Sequence, residues 1–381
     1  MAIETRLKIA FVVDRFGARF GGAESYGVAL MRELARTCDI TVFAREYDES
    51  CDLRLPFVSL RSWSGWPSWI RVLLFAIRAR RRTRHGFDIV HSHMNGWCGD
   101  IDVIHVTPVR YNWRVRRLPF LKRALSRVSL RVQTYLRLEA RRVAPRAGHR
   151  TVAVSHLIAD QLRQAYGPAL SAPVIPPGVS VPDSRVCEQR QPMRSSLGWE
   201  EEDYVCLMVA RNPLRKGLST ALEALFLLPA RFKLLVVGAD STARDFVHKA
   251  HGGVLADRIR LISETSDVAP YYVAADLYVH PTLNDSFGMA PLEAMSFGLP
   301  VVLSPEPWCG FAHYVQDKSE AMLLSHPEDA TQLARFIGQI SQDGALRTRL
   351  AQGGSQVVKR HGWTGIASQY RGLYEQVISE R

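Results

Sequence analysis

Asp285 and Glu293 lie eight residues apart in His280-Pro-Thr-Leu-Asn-Asp-Ser-Phe-Gly-Met-Ala-Pro-Leu-Glu-Ala-Met-Ser-Phe-Gly-Leu-Pro-Val-Val302, on either side of a glycine that opens a helix. An enclosed carboxylate is costly unless it meets hydroxyl or N–H donors, and ribose hydroxyls are such partners. The backbone N–H groups around Phe287, Gly288 and Met289 lie where a helix start favours phosphate. The competing reading makes Glu293 an ordinary first-turn carboxylate favoured by the helix dipole.

Two further loops can serve an anionic ligand. In Ala210-Arg-Asn-Pro-Leu-Arg-Lys-Gly217, after an apolar run and before a helical one, Arg215 and Lys216 fall beside a helix N-terminus, where two cations and a dipole can hold a diphosphate. The alternative is an exposed basic loop. In Phe16-Gly-Ala-Arg-Phe-Gly-Gly-Ala-Glu24, the paired Gly21 and Gly22 let backbone approach a ligand at the start of a helix near Ala23, without the dinucleotide G-x-G-x-x-G spacing. A tight connection reads equally well there.

These loops need a scaffold, and the rhythm of the chain supplies one. Apolar runs at 8–14, 39–45, 88–93, 102–107 and 151–155 alternate with stretches of helical period, which argues for parallel β-α units. Three prolines and a glycine in Val174-Ile-Pro-Pro-Gly-Val-Ser-Val-Pro-Asp183 halt that rhythm. It restarts with runs at 204–210, 232–238, 259–263, 277–280 and 300–304. The expected organisation is a basic Rossmann-like domain over 1–175, a linker over 176–190, a second Rossmann-like domain over 191–362, and a last helix over 363–381 with Ile366, Tyr370, Leu373, Tyr374 and Ile378 on one face, crossing back to the first domain. The fold class is α/β, with two Rossmann-like parallel-sheet domains facing across a cleft.

The 381 residues suffice for two domains with cores of their own, and 47% hydrophobic with 23% charged residues excludes a disordered chain. Six scattered cysteines, Cys38, Cys51, Cys98, Cys187, Cys206 and Cys309, form no metal-spaced cluster and fit a reducing cytoplasmic setting. The start of the chain reads as a first strand rather than a signal peptide, and no window reaches the roughly 20 apolar residues of a membrane span. The protein is therefore expected to be neither exported nor integral.

The net charge of +12 is lopsided: residues 1–180 carry 29 Lys and Arg against 14 Asp and Glu, the remainder 20 against 23. Such a field attracts phosphate-rich partners, whether nucleic acid, anionic lipid or phosphorylated glycan. Residues 61–82 combine Trp63, Trp66 and Trp69 with an apolar stretch and a basic end, as interfacial helices do, and 114–142 hold ten Arg and Lys against the single acid Glu139. The opposing reading makes Leu73, Leu74 and Ile77 core and the arginines a solvated face. His91 and His93 lack a third ligand at metal spacing.

Taken together, Gly21-Gly22, Arg215-Lys216 and the two acids with seven residues between them resemble the retaining glycosyltransferases of family 4, which have the GT-B fold, and the resemblance covers essentially the whole chain. It implies that Glu293 holds the nucleotide ribose, Asp285 reaches sugar hydroxyls, Arg215 and Lys216 bind the pyrophosphate, and Gly21 with Gly22 approaches donor phosphate or sugar. Relatives often place a histidine near the donor sugar at the position of His105, with Asp102 as the rival for that duty. Asp285 stands where Glu is commoner, a shorter arm expected to alter which sugar is accepted. Gly99-Asp-Ile-Asp-Val-Ile-His105, Val174-Ile-Pro-Pro-Gly178 and Cys309-Gly-Phe-Ala-His-Tyr314 resemble the branch that adds glucose to lipopolysaccharide core heptose.

The implied activity is metal-independent, retaining transfer of a hexose, with UDP-glucose the first expectation, to a lipopolysaccharide-core or other glycolipid acceptor. It needs no cofactor, and the enzyme would work peripherally at the cytoplasmic face of an inner membrane without a nucleic-acid partner. The rivals are a nucleotide-sugar 2-epimerase, for which no acid/base pair suggests itself, and a basic nucleic-acid-binding protein, for which no recognition motif does.

Overall fold

The computed structural model describes residues 6–61, 65–183, 189–251, 253 and 255–381. Trp63 of the tryptophan-rich stretch, Cys187 and part of the 176–190 segment lie outside them. The chain forms two compact units, one of Met1–Gly178 with Trp363–Arg381, the other of Val179–Gly362.

In the first unit the strands are β1 (Leu7–Val12), β2 (Arg15–Phe16), β3 (Cys38–Ala44), β4 (Glu46–Tyr47), β5 (Phe57–Ser59), β6 (Ile89–Ser92), β7 (Ile101–Ile104) and β8 (Arg150–Ala153). The helices are α1 (Gly22–Leu34), α2 (Ser68–Thr83), α3 (Phe120–Val128), α4 (Leu130–Val143) and α5 (His156–Tyr166), joined by α13 (Trp363–Ser379) from the end of the chain. The main sheet has the order β5-β3-β1-β6-β7-β8, and every pairing is parallel. Strands β2 and β4 make a separate parallel pair. Val174, just before the expected linker, bridges to Ala153 at the end of β8.

The second unit repeats the plan with α6 (Arg190–Ser196), β9 (Tyr204–Val209), α7 (Leu218–Phe226), β10 (Phe232–Val237), α8 (Ser241–His251), β11 (Ile259–Ile262), α9 (Ala269–Ala274), β12 (Leu277–His280), α10 (Met289–Ser296), β13 (Val301–Leu303), β14 (Met322–Leu323), α11 (Ala330–Gln342) and α12 (Gly344–Arg360). Its sheet runs β11-β10-β9-β12-β13-β14, again all parallel. Val205, Cys206, Leu207 and Met208 in β9 are buried in unbroken succession, because helices cover both faces of a parallel sheet and polar alternation would bury unpaired groups. Each such aliphatic side chain contributes roughly 1.5–3 kcal/mol on leaving water.

In both sheets the first strand is central and the order reverses beside it, between β1 and β6 in one unit and between β9 and β12 in the other. Loops at the carboxyl ends of strands flanking such a reversal diverge and leave a crevice where ligands bind. The 211–217 and 281–288 loops follow the two strands flanking the reversal in the second unit.

Candidate active site

The loops after β9 and β12 are locked together through backbone. Gly217 has φ +87°, and a Cβ there would lie 1.9 Å from the Pro281 carbonyl oxygen. Leu283 N–H donates to the Arg215 carbonyl at 3.0 Å. This approach carries Lys216 across to Asp285, with Nζ 2.5 Å from Oδ2. The same oxygen accepts from His280 Nε2 at 3.0 Å. The loop after β13 closes the far side: Asp285 N–H donates to the Trp308 carbonyl at 2.7 Å, and Gly310 N–H donates to the Asp285 carbonyl at 3.0 Å.

Burial alone would raise the Asp285 carboxyl, but the Lys216 charge and the His280 bond outweigh it and hold the group far below the usual carboxylate range. His280 is pushed down by burial, against the pull of Asp285, so it is neutral and donates its one N–H to the carboxylate. Arg215 is exposed, and among the described residues no acidic side chain pairs with it.

Glu293 is the fifth residue of α10, beyond the first turn, so the helix-start reading of this carboxylate does not hold. It accepts from Tyr272 Oη at 2.9 Å, and burial pushes its carboxyl up despite that bond. Gly288, with φ +108°, begins α10, and Gly217 begins α7; neither helix has a side-chain cap. Asp329 and Asp343, by contrast, cap α11 and α12 with their carboxylates. At α10 the N–H groups of Met289 and Ala290 thus stay available to an anion, whereas at α7 the Leu218 N–H already donates to the Pro213 carbonyl at 2.9 Å. The Phe287 ring packs inside the unit against Phe311 and Tyr314, so only its backbone can serve a ligand.

In the first unit, Gly21 has φ +139°, a conformation that favours glycine, and precedes α1, which also lacks a side-chain cap. Around Gly22 the space is open. A cavity of about 290 Å³ is lined by Asp14, Glu24, Arg45, Arg71, His93 and His105, among others, with Asp14 and Arg45 in a bidentate pair. His105 follows β7 and packs on Tyr26 and His93, its Nε2 buried without a partner.

Asp102 does not share that cavity. It is fully buried within β7, 3.1 Å from His149 Nε2 and 3.5 Å from Arg142 Nε, with Arg146 at 3.6 Å. A carboxylate enclosed by these groups neutralises a buried basic cluster, which removes Asp102 as the rival of His105. Among the described residues no group of three or more His, Cys, Asp or Glu is placed to hold a metal ion.

His91 is buried, with His93 and His105 half-buried beside it, and His91 Nδ1 lies 2.5 Å from Tyr374 Oη of α13. Burial drives His91 and His105 down to about 3 and His93 well below its ordinary value. The unfolded chain takes up these protons near pH 6.5 and the folded chain does not, so this contribution to stability is complete above pH 6.5 and is lost as pH falls toward 3. The expected slope is about 1.4 kcal/mol per pH unit for each such histidine. Urea unfolding midpoints at pH 7.5, 6 and 5 check this; a midpoint unchanged between pH 6 and 5 would contradict it.

Sequence reasoning missed His280 and Tyr272. His280 was in view as the residue ending a strand, but nothing in a pattern shows that its ring turns back to Asp285. Tyr272 comes from α9, 21 residues before Glu293.

The Glycosyltransferase Family 4 domain matches residues 20–181, and the Glycosyl transferases group 1 domain matches residues 189–357. The chain belongs to the GT-B glycosyltransferases of family 4. It is similar to the lipopolysaccharide glucosyltransferase WaaG of Escherichia coli K12, 31% identical over 187 residues that make up 47% of this chain and 49% of the relative. It is also similar to the phosphatidyl-myo-inositol mannosyltransferase of Mycobacterium leprae, 29% identical over 310 residues covering 76% of this chain and 78% of that one. In the WaaG and D-inositol 3-phosphate glycosyltransferase comparisons the match spans about half of the relative's length. The crystal structure of WaaG superposes with a TM-score of 0.79 at 21% identity, over 95% of this chain and 98% of that one. The fold class read from the sequence thus holds in both units.

Proposed function

We propose that the chain transfers a hexose from a nucleotide sugar, UDP-glucose first among the candidates, to a lipopolysaccharide-core heptose or a related glycolipid, with retention at the anomeric carbon and without a metal. The observation that carries this reading is the meeting of Lys216 with Asp285 where the strand order reverses, beside helices whose first N–H groups have no side-chain cap. Relatives that act on lipopolysaccharide and on phosphatidyl-myo-inositol support an acceptor that is itself a glycolipid.

In this reading Glu293, held by Tyr272, receives the ribose, and Asp285 receives sugar hydroxyls. Arg215, Lys216 and the N–H groups at Gly288 and Met289 take the diphosphate. As the sugar becomes oxocarbenium-like, charge grows on the departing phosphate, and the fixed cations and N–H donors stabilise it more than they stabilise the ground state. The acceptor hydroxyl attacks from the face the nucleotide leaves and gives its proton to the departing phosphate oxygen. Incubation of truncated, heptose-ended lipopolysaccharide with a panel of nucleotide sugars, followed by NMR of the product, tests the reading. One added hexose in the donor's own anomeric form, formed equally in EDTA, is expected. An inverted product, a sugar isomer or unmodified acceptor would overturn it.

The described helices include none long and apolar enough to cross a membrane. One face of α3 carries Phe120, Leu121, Leu125 and Val128, all exposed, with Phe120 at 86%, and Lys122, Arg123 and Arg127 flank them. A helix of this composition lies in a headgroup layer. Of the two stretches with that composition, α2 turns inward: Phe75, Ala76 and Ala79 are core, and Leu73, Leu74 and Ile77 are half-buried. The double change Phe120→Asp with Leu125→Asp is expected to reduce binding to phosphatidylglycerol vesicles at least about tenfold while leaving the melting temperature within a degree or two. Co-sedimentation at low and high salt measures it, and unchanged binding would move the membrane contact elsewhere.

A further inference from the structure

We propose that His280 is a positioning residue for donor-sugar recognition: it pins one oxygen of Asp285 so that the other stays in place for a sugar hydroxyl. The proposal rests on the donor-site reading above and adds a residue and a function to it.

Asp285 Oδ2 has two donors of different character. Lys216 Nζ sits at the end of a flexible four-carbon stem and is a mobile point charge that a diphosphate can draw away. His280 cannot follow. It is the last residue of β12, its ring is 1% exposed and lies nearly parallel to that of Tyr278, and its carbonyl accepts from Thr282 N–H at 2.8 Å and Ser304 N–H at 3.1 Å. Among the described residues no donor reaches Oδ1 of Asp285, and 19% of that side chain is exposed. The carboxylate is thus fixed at one oxygen and open at the other, the arrangement needed to accept a hydroxyl without first reorganising.

The imidazole carries the cost of this assignment. A neutral ring has one N–H, and with that proton on Nε2 for Asp285 the opposite nitrogen is a bare acceptor. His280 Nδ1 is buried without a hydrogen-bond partner, an unmet group of a kind that folded proteins rarely keep. A ring that served packing alone would be replaced at no loss by an apolar one.

Calorimetric titration of the full chain with UDP and with UDP-glucose separates the possibilities. In His280→Phe, UDP-glucose affinity is expected to fall about tenfold or more, the scale of one hydrogen bond to a charged group, while UDP affinity stays within about threefold. His280→Gln, whose amide nitrogen reaches the place of Nε2, is expected to recover most of the loss. Should His280→Phe fail to fold, His280→Asn decides, because it stays polar but ends short of the carboxylate and is expected to behave as the Phe variant does. Equal weakening for both ligands, no weakening, or no recovery in the Gln variant overturns the role of His280. Wild-type protein that binds neither ligand, nor the ADP and GDP counterparts, overturns the donor-site reading itself, and this proposal with it.

Discussion

Lys216→Ala is expected to lower kcat/KM for nucleotide-sugar turnover by about 10²–10³-fold, the scale on which loss of one fixed transition-state donor acts. Lys216 is half-buried, 2.5 Å from Asp285, and follows directly from the loop that also presents Arg215. In the donor-site reading, its removal would take away the charge that stabilises a departing diphosphate. It also strips Asp285 of its cation, so that burial drives that carboxyl upward and weakens it as a hydroxyl acceptor. Lys216→Arg is expected to recover little, because a planar fork does not fit the space of a compact ammonium. Steady-state kinetics with the preferred donor measures both variants, beside thermal melts that confirm folding. A change of less than about threefold in Lys216→Ala would mean that the diphosphate lies elsewhere.

Gly217→Ala is expected to be more damaging still, because it acts on the backbone. The new Cβ would stand 1.9 Å from the Pro281 carbonyl oxygen at a φ of +87°, and backbone, unlike a side-chain end, gives way only if its whole loop moves. Either the 281–288 loop retreats, which parts Lys216 from Asp285, or the second unit is destabilised by about 3–5 kcal/mol. Turnover is lost in both cases. Urea unfolding followed at Trp199 and Trp308 of the second unit distinguishes them, and a midpoint and rate equal to wild type would show that the two loops are not in this contact.

Much of this was legible in the residues. Apolar runs such as Tyr204–Val209 and Leu277–His280 read as strands covered on both sides, and the breaks after them place Arg215, Lys216 and Asp285 at strand ends. Two-residue strands such as Met322–Leu323 are too short to show a period. Asp102 and His105 look equally eligible in one dimension, three residues apart. They part only because Arg142, Arg146 and His149, some 40 residues on, gather around the carboxylate. Likewise α2 and α3 share an apolar and basic composition, and only packing decides that Phe75 is core while Phe120 is bare. The bond from His280 to Asp285 is invisible for the same reason: it depends on how a loop closes, and composition does not encode that.

The most direct test of the account is nucleotide release by the purified chain with each of UDP-glucose, UDP-galactose, ADP-glucose and GDP-mannose, with and without heptose-ended lipopolysaccharide. Release from one donor that requires the acceptor, and that is lost in Glu293→Ala, is the predicted result. Release from no donor, or release that Glu293→Ala leaves intact, would contradict the assignment of these loops as a glycosyl-donor site.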